Sequence, residues 1–338
     1  MYFENVSILR LAHVDAPVRI TSASMDDRLA PALARMSMRP GLLQGLTGIV
    51  ARRYWPDGVS PSDAATLAAE KVITDSGIDR ARIGICVNTS VCRDYLEPST
   101  ACLVHGKLGL PPDCLNFDIG NACLAFLTGM ETVAAMIERG AIDYGLVVDG
   151  ENSRTVVEAT IARLLDPTSS TQAYRDQFAA LTLGSGAAAM LLARRDLAPQ
   201  GHIYRGSTSL AASEWNQLCL GREDYMATDT RNLLKQGVSL AQRTWAKGVA
   251  ERGWQVEDFD EFVLHQVSKV HTKNLTGALG IPLEKCHLVF EEFGNMGPAA
   301  VPVTLSKAAE MGRISKGDRI ALMGIGSGLN CAMAEIIW

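Results

Sequence analysis

The chain repeats itself at half-length, and this constrains its fold more than any other feature. The pair Gly120-Asn121 returns as Gly294-Asn295, 174 positions later. Asp143, just ahead of an apolar run, is matched by Asp318 after 175 positions, and the strand end at Asn88 by His265 after 177. Each landmark sits in the same grammar: a polar turn, an apolar strand, a polar end, then a helix. Near-equal offsets over several elements point to an internal duplication. The alternation of strands and helices calls for a layered α/β body, with helices covering a largely buried sheet.

The spacing predicts strands over 81–90, 114–119, 144–151 and 186–194, and helices over 99–110 and 123–139. The last helix is the most strongly patterned. Leu124, Leu127, Met130, Ala134 and Ile137 share one face, and Gly140 closes it. Residues 152–180 fit the repeat poorly and read as an insertion, one that shapes the pocket or else a surface excursion. The expected organisation is a first half over 1–195 and a second over 196–338.

With 338 residues, 47% hydrophobic and 20% charged, the chain has room for roughly two units of ~150 residues and is not disordered. A net charge of −5 argues against a nucleic-acid partner, which needs a basic face. No apolar run reaches the ~18 residues that span a bilayer. The start, through Asp15, lacks the basic stretch and apolar core of a secretory signal. The 8 cysteines form no CxxC pair, so no metal is expected and a reducing cytoplasm is.

Cys123 follows the predicted strand and the Gly120-Asn121-Ala122 turn, and opens the helix. A thiol there faces unpaired backbone N–H groups and the positive end of the helix dipole, which favour the nucleophilic thiolate. Gly120 is expected to permit the sharp turn. His265 ends the run EFVLHQ, where open α/β sheets place functional groups. Asn295 occupies the duplicate of the Asn121 turn. Two repeats packed about a pseudo-twofold axis would bring it beside Cys123, with His265 completing a Cys–His–Asn set.

The GxGxG string at 324–328 is followed by a strand-like segment and not by a helix, so it is not a dinucleotide loop. The backbone N–H of Ser327 is instead a candidate oxyanion donor. The absence of a GxSxG elbow disfavours a serine hydrolase. Glu97 lies just outside a helix start at Pro98-Ser99. Arg52 and Arg53, in the string RRYW, are candidate contacts for the phosphates of coenzyme A, against the alternative of a paired surface patch.

Together these motifs resemble the thiolase superfamily, in particular its ketoacyl-acyl-carrier-protein synthase III branch. DIGNACLAF (118–126) is similar to the nucleophile motif, LHQVS (264–268) to the histidine motif and FGNMGPAAVP (293–302) to the asparagine motif. The resemblance runs nearly end to end. It implies a five-layered αβαβα fold from two duplicated halves, a homodimer, and acyl transfer through Cys123. It also implies enolate stabilisation by His265 and Asn295, and a thioester oxyanion hole from the Cys123 and Ser327 backbones. Two departures stand out. The usual HQAN is here HQVS, and Glu97 stands where the branch commonly has an apolar residue at the dimer seam. A carboxylate reaching into the partner's apolar channel has a raised proton affinity, which suits a general base.

NTSVCRDYLEPSTA (88–101), LVVDGEN (146–152), ASEWNQLC (212–219) and residues 319–338 narrow the resemblance to the condensing enzymes that open long-chain olefin biosynthesis. These imply non-decarboxylative Claisen condensation of two long-chain acyl-CoA thioesters to a β-keto acid. No cofactor is implied beyond the coenzyme A of the substrates, and downstream olefin-pathway enzymes are implied as partners. Two alternatives compete: a decarboxylative synthase using malonyl-carrier protein, and a non-catalytic acyl-binding protein of the same fold.

Overall fold

Nine strands form one mixed sheet in the computed structural model, which describes residues 1–338. Their spatial order is Glu261–Leu264, Arg319–Gly326, Asn330–Ile337, His202–Ala211, Val6–Asp15, Gly186–Arg194, Tyr144–Glu151, Ile83–Asn88 and Leu115–Asp118. The duplication is visible in that order. Ile83–Asn88 runs parallel to Tyr144–Glu151, which is antiparallel to Gly186–Arg194, itself antiparallel to Val6–Asp15. Glu261–Leu264, Arg319–Gly326, Asn330–Ile337 and His202–Ala211 repeat the same three senses. The two sets join where Ser7 and Ile8 meet Ile203 and His202. Leu115–Asp118 lies at one edge of the sheet.

Side chains leave a strand alternately on its two faces, and the strands here serve a different core on each. In Gly186–Arg194, Ala188, Met190 and Leu192 enter a central core, while Ala187, Ala189, Leu191 and Ala193 enter an outer one. In Arg319–Gly326, Ile320 and Leu322 enter the central core, and Ala321 and Met323 the opposite outer one. The central core holds the helices Ala125–Glu138 and Ala300–Glu310. Pro61–Ser76 and Thr100–Leu108 cover the first outer face, and Thr230–Arg252 and Lys269–Leu279 the second. This is the five-layered arrangement implied by the sequence. The small residues of GAAAMLLAR let helices approach the sheet closely from both sides.

The helix expected over 123–139 starts later. Residues Ala122–Leu124 form a single 3-10 turn, and the α-helix runs Ala125–Glu138. Residues 152–180 contribute helices Arg154–Leu165 and Thr171–Gln177, which share a small core with the Ser22–Arg35 helix through Leu29, Leu33, Ile161 and Leu164. The chain then returns past the asparagine turn. The Asn295 N–H donates to the Thr182 carbonyl at 2.9 Å, and the Gly184 N–H to the Asn295 carbonyl at 2.8 Å.

Glycine is required at position 184 because a Cβ there would sit 1.9 Å from the Phe293 carbonyl oxygen. Gly184→Ala is therefore expected to cost about 1–3 kcal/mol by overpacking, read as a lower midpoint in chemical denaturation. Gly277 lies in the Lys269–Leu279 helix with nothing within 4 Å of its would-be Cβ, so Gly277→Ala should stabilise by up to about 1 kcal/mol. Equal midpoints for the two variants would contradict this packing.

Candidate active site

The nucleophile turn is a strained piece of backbone. Ala122, just before Cys123, has φ +44°, a conformation that crowds any residue with a Cβ. The strain falls on Ala122 and not on Gly120, where the sequence reading placed it. Side chains on both flanks secure the turn. Asn121 Nδ2 donates to Thr128 Oγ1 at 2.9 Å, and Asn330 Nδ2 donates to Asn121 Oδ1 at 3.0 Å.

The glycine-rich string explains itself here. A Cβ on Gly326 would lie 3.3 Å from the Asn121 carbonyl oxygen and 3.4 Å from the Leu124 nitrogen. One on Gly324 would lie 2.6 Å from Leu124 Cδ2 and 3.6 Å from His265 Cβ. The glycines let the hairpin Arg319–Gly326/Asn330–Ile337 lie directly on the nucleophile turn. Ser327 is one residue beyond that contact, and Leu124 and His265 flank Gly324.

His265 follows the Glu261–Leu264 strand, and its backbone N–H donates to the Met323 carbonyl at 2.7 Å. Its Nε2 lies 3.2 Å from Asn295 Oδ1, which also accepts from the Gly297 N–H at 3.0 Å. The Gly297 donor fixes the amide with its oxygen toward both groups. His265 must then carry its proton on Nε2, and Asn295 Nδ2 is left to donate elsewhere. Burial pushes His265 down to about 4, although its Asn295 bond favours the charged form. The ring is thus a neutral N–H donor at pH 7.

The neighbouring Gln266 had no reading from sequence beyond its place in the motif. It clamps the following segment, donating to the His287 carbonyl at 2.7 Å and accepting from the Val289 and Phe290 N–H groups at 2.8 and 3.1 Å. His271 packs edge-on to His265 with ring centroids 6.4 Å apart.

Two expectations are corrected. Cys123 is half-buried, and burial, then Cys219 and Glu151, push its thiol up to about 12. Its own backbone N–H lowers it but is outweighed. The sulfur sits in the 3-10 turn ahead of the α-helix, where burial and neighbouring acids oppose ionisation. Arg52 is fully buried and donates to Ser22 Oγ at 3.1 Å, so it cannot meet a coenzyme phosphate. It points inward because successive residues of the Ala51–Tyr54 strand face opposite ways. Arg53, on the other face, is half-buried beside Glu292 at 3.8 Å and lies over the Phe293 ring.

The structure thus brings Cys123, His265, Asn295 and the Ser327 turn into one neighbourhood. Glu97 lies apart, on the exposed loop 91–98 beside Leu96, which is 95% exposed. A thiol held at about 12 should react with iodoacetamide about tenfold faster per pH unit between 7 and 9. A rate plateau below pH 8, read by mass spectrometry of the Cys123 adduct, would mean that the thiolate already exists.

Comparison with known proteins agrees with this geometry. The family profile of 3-oxoacyl-[acyl-carrier-protein] synthase III matches residues 117–206, and that of its C-terminal region matches residues 249–338. The acyl-CoA:acyl-CoA alkyltransferase of Xanthomonas campestris is 51% identical over the whole of both chains. That of Shewanella oneidensis is 41% identical, also over the whole of both. The beta-ketoacyl-[acyl-carrier-protein] synthase III of Koribacter versatilis is 27% identical over 86% of this chain and 87% of its own. Crystal structures of Xanthomonas campestris OleA superpose with a TM-score of 0.98, covering 100% of this chain and 98% of theirs. Another, a cysteine-to-serine variant holding lauric acid and lauroyl-CoA, superposes at 0.97 over 99% of this chain and 100% of its own. This chain belongs to the 3-oxoacyl-[acyl-carrier-protein] synthase III family and, within it, to the acyl-CoA:acyl-CoA alkyltransferase group that includes OleA.

Proposed function

We propose that the protein is an acyltransferase that joins two long-chain acyl-CoA thioesters without decarboxylation. The observation that carries this reading is the His265–Asn295 pair beside a cysteine turn. The amide N–H is uncommitted, and the neutral imidazole N–H, which rests on Asn295 Oδ1, can turn to a developing enolate oxygen. Full-length identity of 51% to an acyl-CoA:acyl-CoA alkyltransferase supports the substrate class.

In the first step Cys123 Sγ attacks the thioester carbonyl of one acyl-CoA. Its proton leaves with the coenzyme A thiol, and the Cys123 and Ser327 backbone N–H groups stabilise the transient oxyanion. In the second, the Glu97 carboxylate of a neighbouring subunit takes the α-proton of a second acyl-CoA. The enolate oxygen is held by His265 Nε2–H and Asn295 Nδ2–H. The α-carbon attacks the Cys123 thioester, a C–C bond forms, the C–S bond breaks, and the sulfur regains a proton. The product is a 2-alkyl-3-oxoacyl-CoA, and water then releases the 2-alkyl-3-oxoalkanoate. These steps need no cofactor beyond substrate coenzyme A. Such a β-keto acid is a substrate for the later enzymes of long-chain olefin biosynthesis, and a cytoplasmic site fits coenzyme A chemistry. No helix is long and apolar enough to cross a membrane.

A homodimer fits the surface. The edge strand Leu115–Asp118 exposes Leu115 and Phe117, and the nearby loop exposes Val91, Tyr95 and Leu96. A second copy covering this patch would bury apolar area and bring Glu97 into an acyl channel. A decarboxylative synthase obtains its carbanion by losing CO2 and has no use for a base at position 97, so it is the weaker reading.

With one purified long-chain acyl-CoA as sole substrate, the expected product is the symmetric β-keto acid, or the ketone from its spontaneous decarboxylation. A requirement for malonyl-carrier protein, with CO2 release, would overturn the proposal. Glu97→Ala should acylate Cys123 at the normal rate and lose condensation about 10²–10⁴-fold, the usual worth of a general base.

A further inference from the structure

The loop that carries Glu97 is fastened at its root to the cysteine site. Val91 and Cys92 donate their backbone N–H groups to Glu151 Oε1 and Oε2 at 2.5 and 3.3 Å. Glu151 ends the Tyr144–Glu151 strand and is buried, and its carbonyl accepts from Trp55 Nε1 at 3.0 Å. Its carboxyl also faces the asparagine turn, since a Cβ on Gly297 would lie 3.7 Å from Glu151 Cδ. The Gly297 N–H is the group that orients Asn295. One buried carboxyl therefore touches the loop on one side and the oxyanion turn on the other. Further along, Asp94 accepts from the Ser62 N–H and Oγ–H at 3.0 and 2.6 Å, which leaves residues 95–98 as the projecting tip.

A second carboxyl, Asp149, is buried close by, with Oδ2 accepting from Thr89 Oγ1 at 2.7 Å and Oδ1 unpartnered. Burial pushes both acids up. Asp149 is pushed further than Glu151, whose two backbone donors favour its charged form. A buried carboxylate is costly where it only fills space. Its charge-assisted bonds, roughly twice as strong as neutral ones, suit it to holding a loop whose tip must present a charge to another subunit.

We propose that Glu151 is a positioning residue for condensation: it holds loop 91–98 so that Glu97 reaches the partner subunit's site at the working depth. This rests on reading Glu97 as the base acting across the dimer. Dimers of two differently tagged full-length chains test it. One chain carries Cys123→Ala and supplies Glu97. The other carries Glu97→Ala and supplies Cys123. A single working site remains, built from both chains.

Glu151→Ala on the Glu97-supplying chain should slow condensation about 10- to 100-fold, the loss that a displacement near 1 Å brings, with Cys123 acylation unchanged. Glu151→Gln, which keeps one acceptor oxygen, should recover part of that loss. Glu151→Ala on the Cys123-supplying chain should cost less. A loss equal on both chains, or confined to the Cys123-supplying one, overturns the inference. If the reference dimer, unchanged at Glu151, acylates Cys123 but does not condense, the cross-subunit reading of Glu97 fails and takes the inference with it.

Discussion

Everything in the site depends on one shared oxygen. Asn295 Oδ1 accepts from the Gly297 N–H and faces His265 Nε2, so a backbone donor decides which way the amide points. With the amide fixed, the imidazole has one tautomer available and the amide nitrogen is left to donate. Two N–H groups thereby lie at the site before any substrate arrives, the imidazole one resting on Asn295 Oδ1 and the amide one free. The neutrality of His265 follows from its burial. A charged imidazole would be expensive there, whereas a neutral one bonds well.

That arrangement needs close backbone approach, and glycines permit it. Gly184 admits the Phe293 carbonyl, and Gly324 and Gly326 admit Leu124 and the nucleophile turn. The three segments of the candidate site come from different parts of the chain and meet only because none of these contact points carries a side chain. The strain at Ala122 belongs to the same design, since tertiary contacts on both flanks hold a conformation that the isolated turn would avoid.

Buried acids behind the nucleophile give the site its electrostatic character. Glu151 and Asp149 both raise the proton affinity of Cys123. A thiol so held keeps its proton at neutral pH. This differs from a site in which a helix terminus stabilises a standing thiolate.

Much of this was legible in the sequence. The near-equal offsets implied duplication, and strand order reproduces it. Apolar runs located the strands, because the central ones are buried on both faces, and a period-3.6 pattern located the central helix, because burial on one face leaves a local trace. The turns around Cys123 and Asn295 and the strand end at His265 carried their motifs. Other features had no local signature. Arg52 reads as a surface cation in RRYW and is buried, since only packing in three dimensions decides which face of a short strand is inside. The ionisation of Cys123 depends on Glu151, Asp149 and Cys219, distant in sequence and summed only in three dimensions. Gln266 and Glu151 act by receiving or offering hydrogen bonds to segments far along the chain. Sequence determined the elements and the candidate reacting groups because those follow from neighbours along the chain. Tertiary structure alone decided protonation, orientation and access, because burial and electric field are properties of everything packed around an atom.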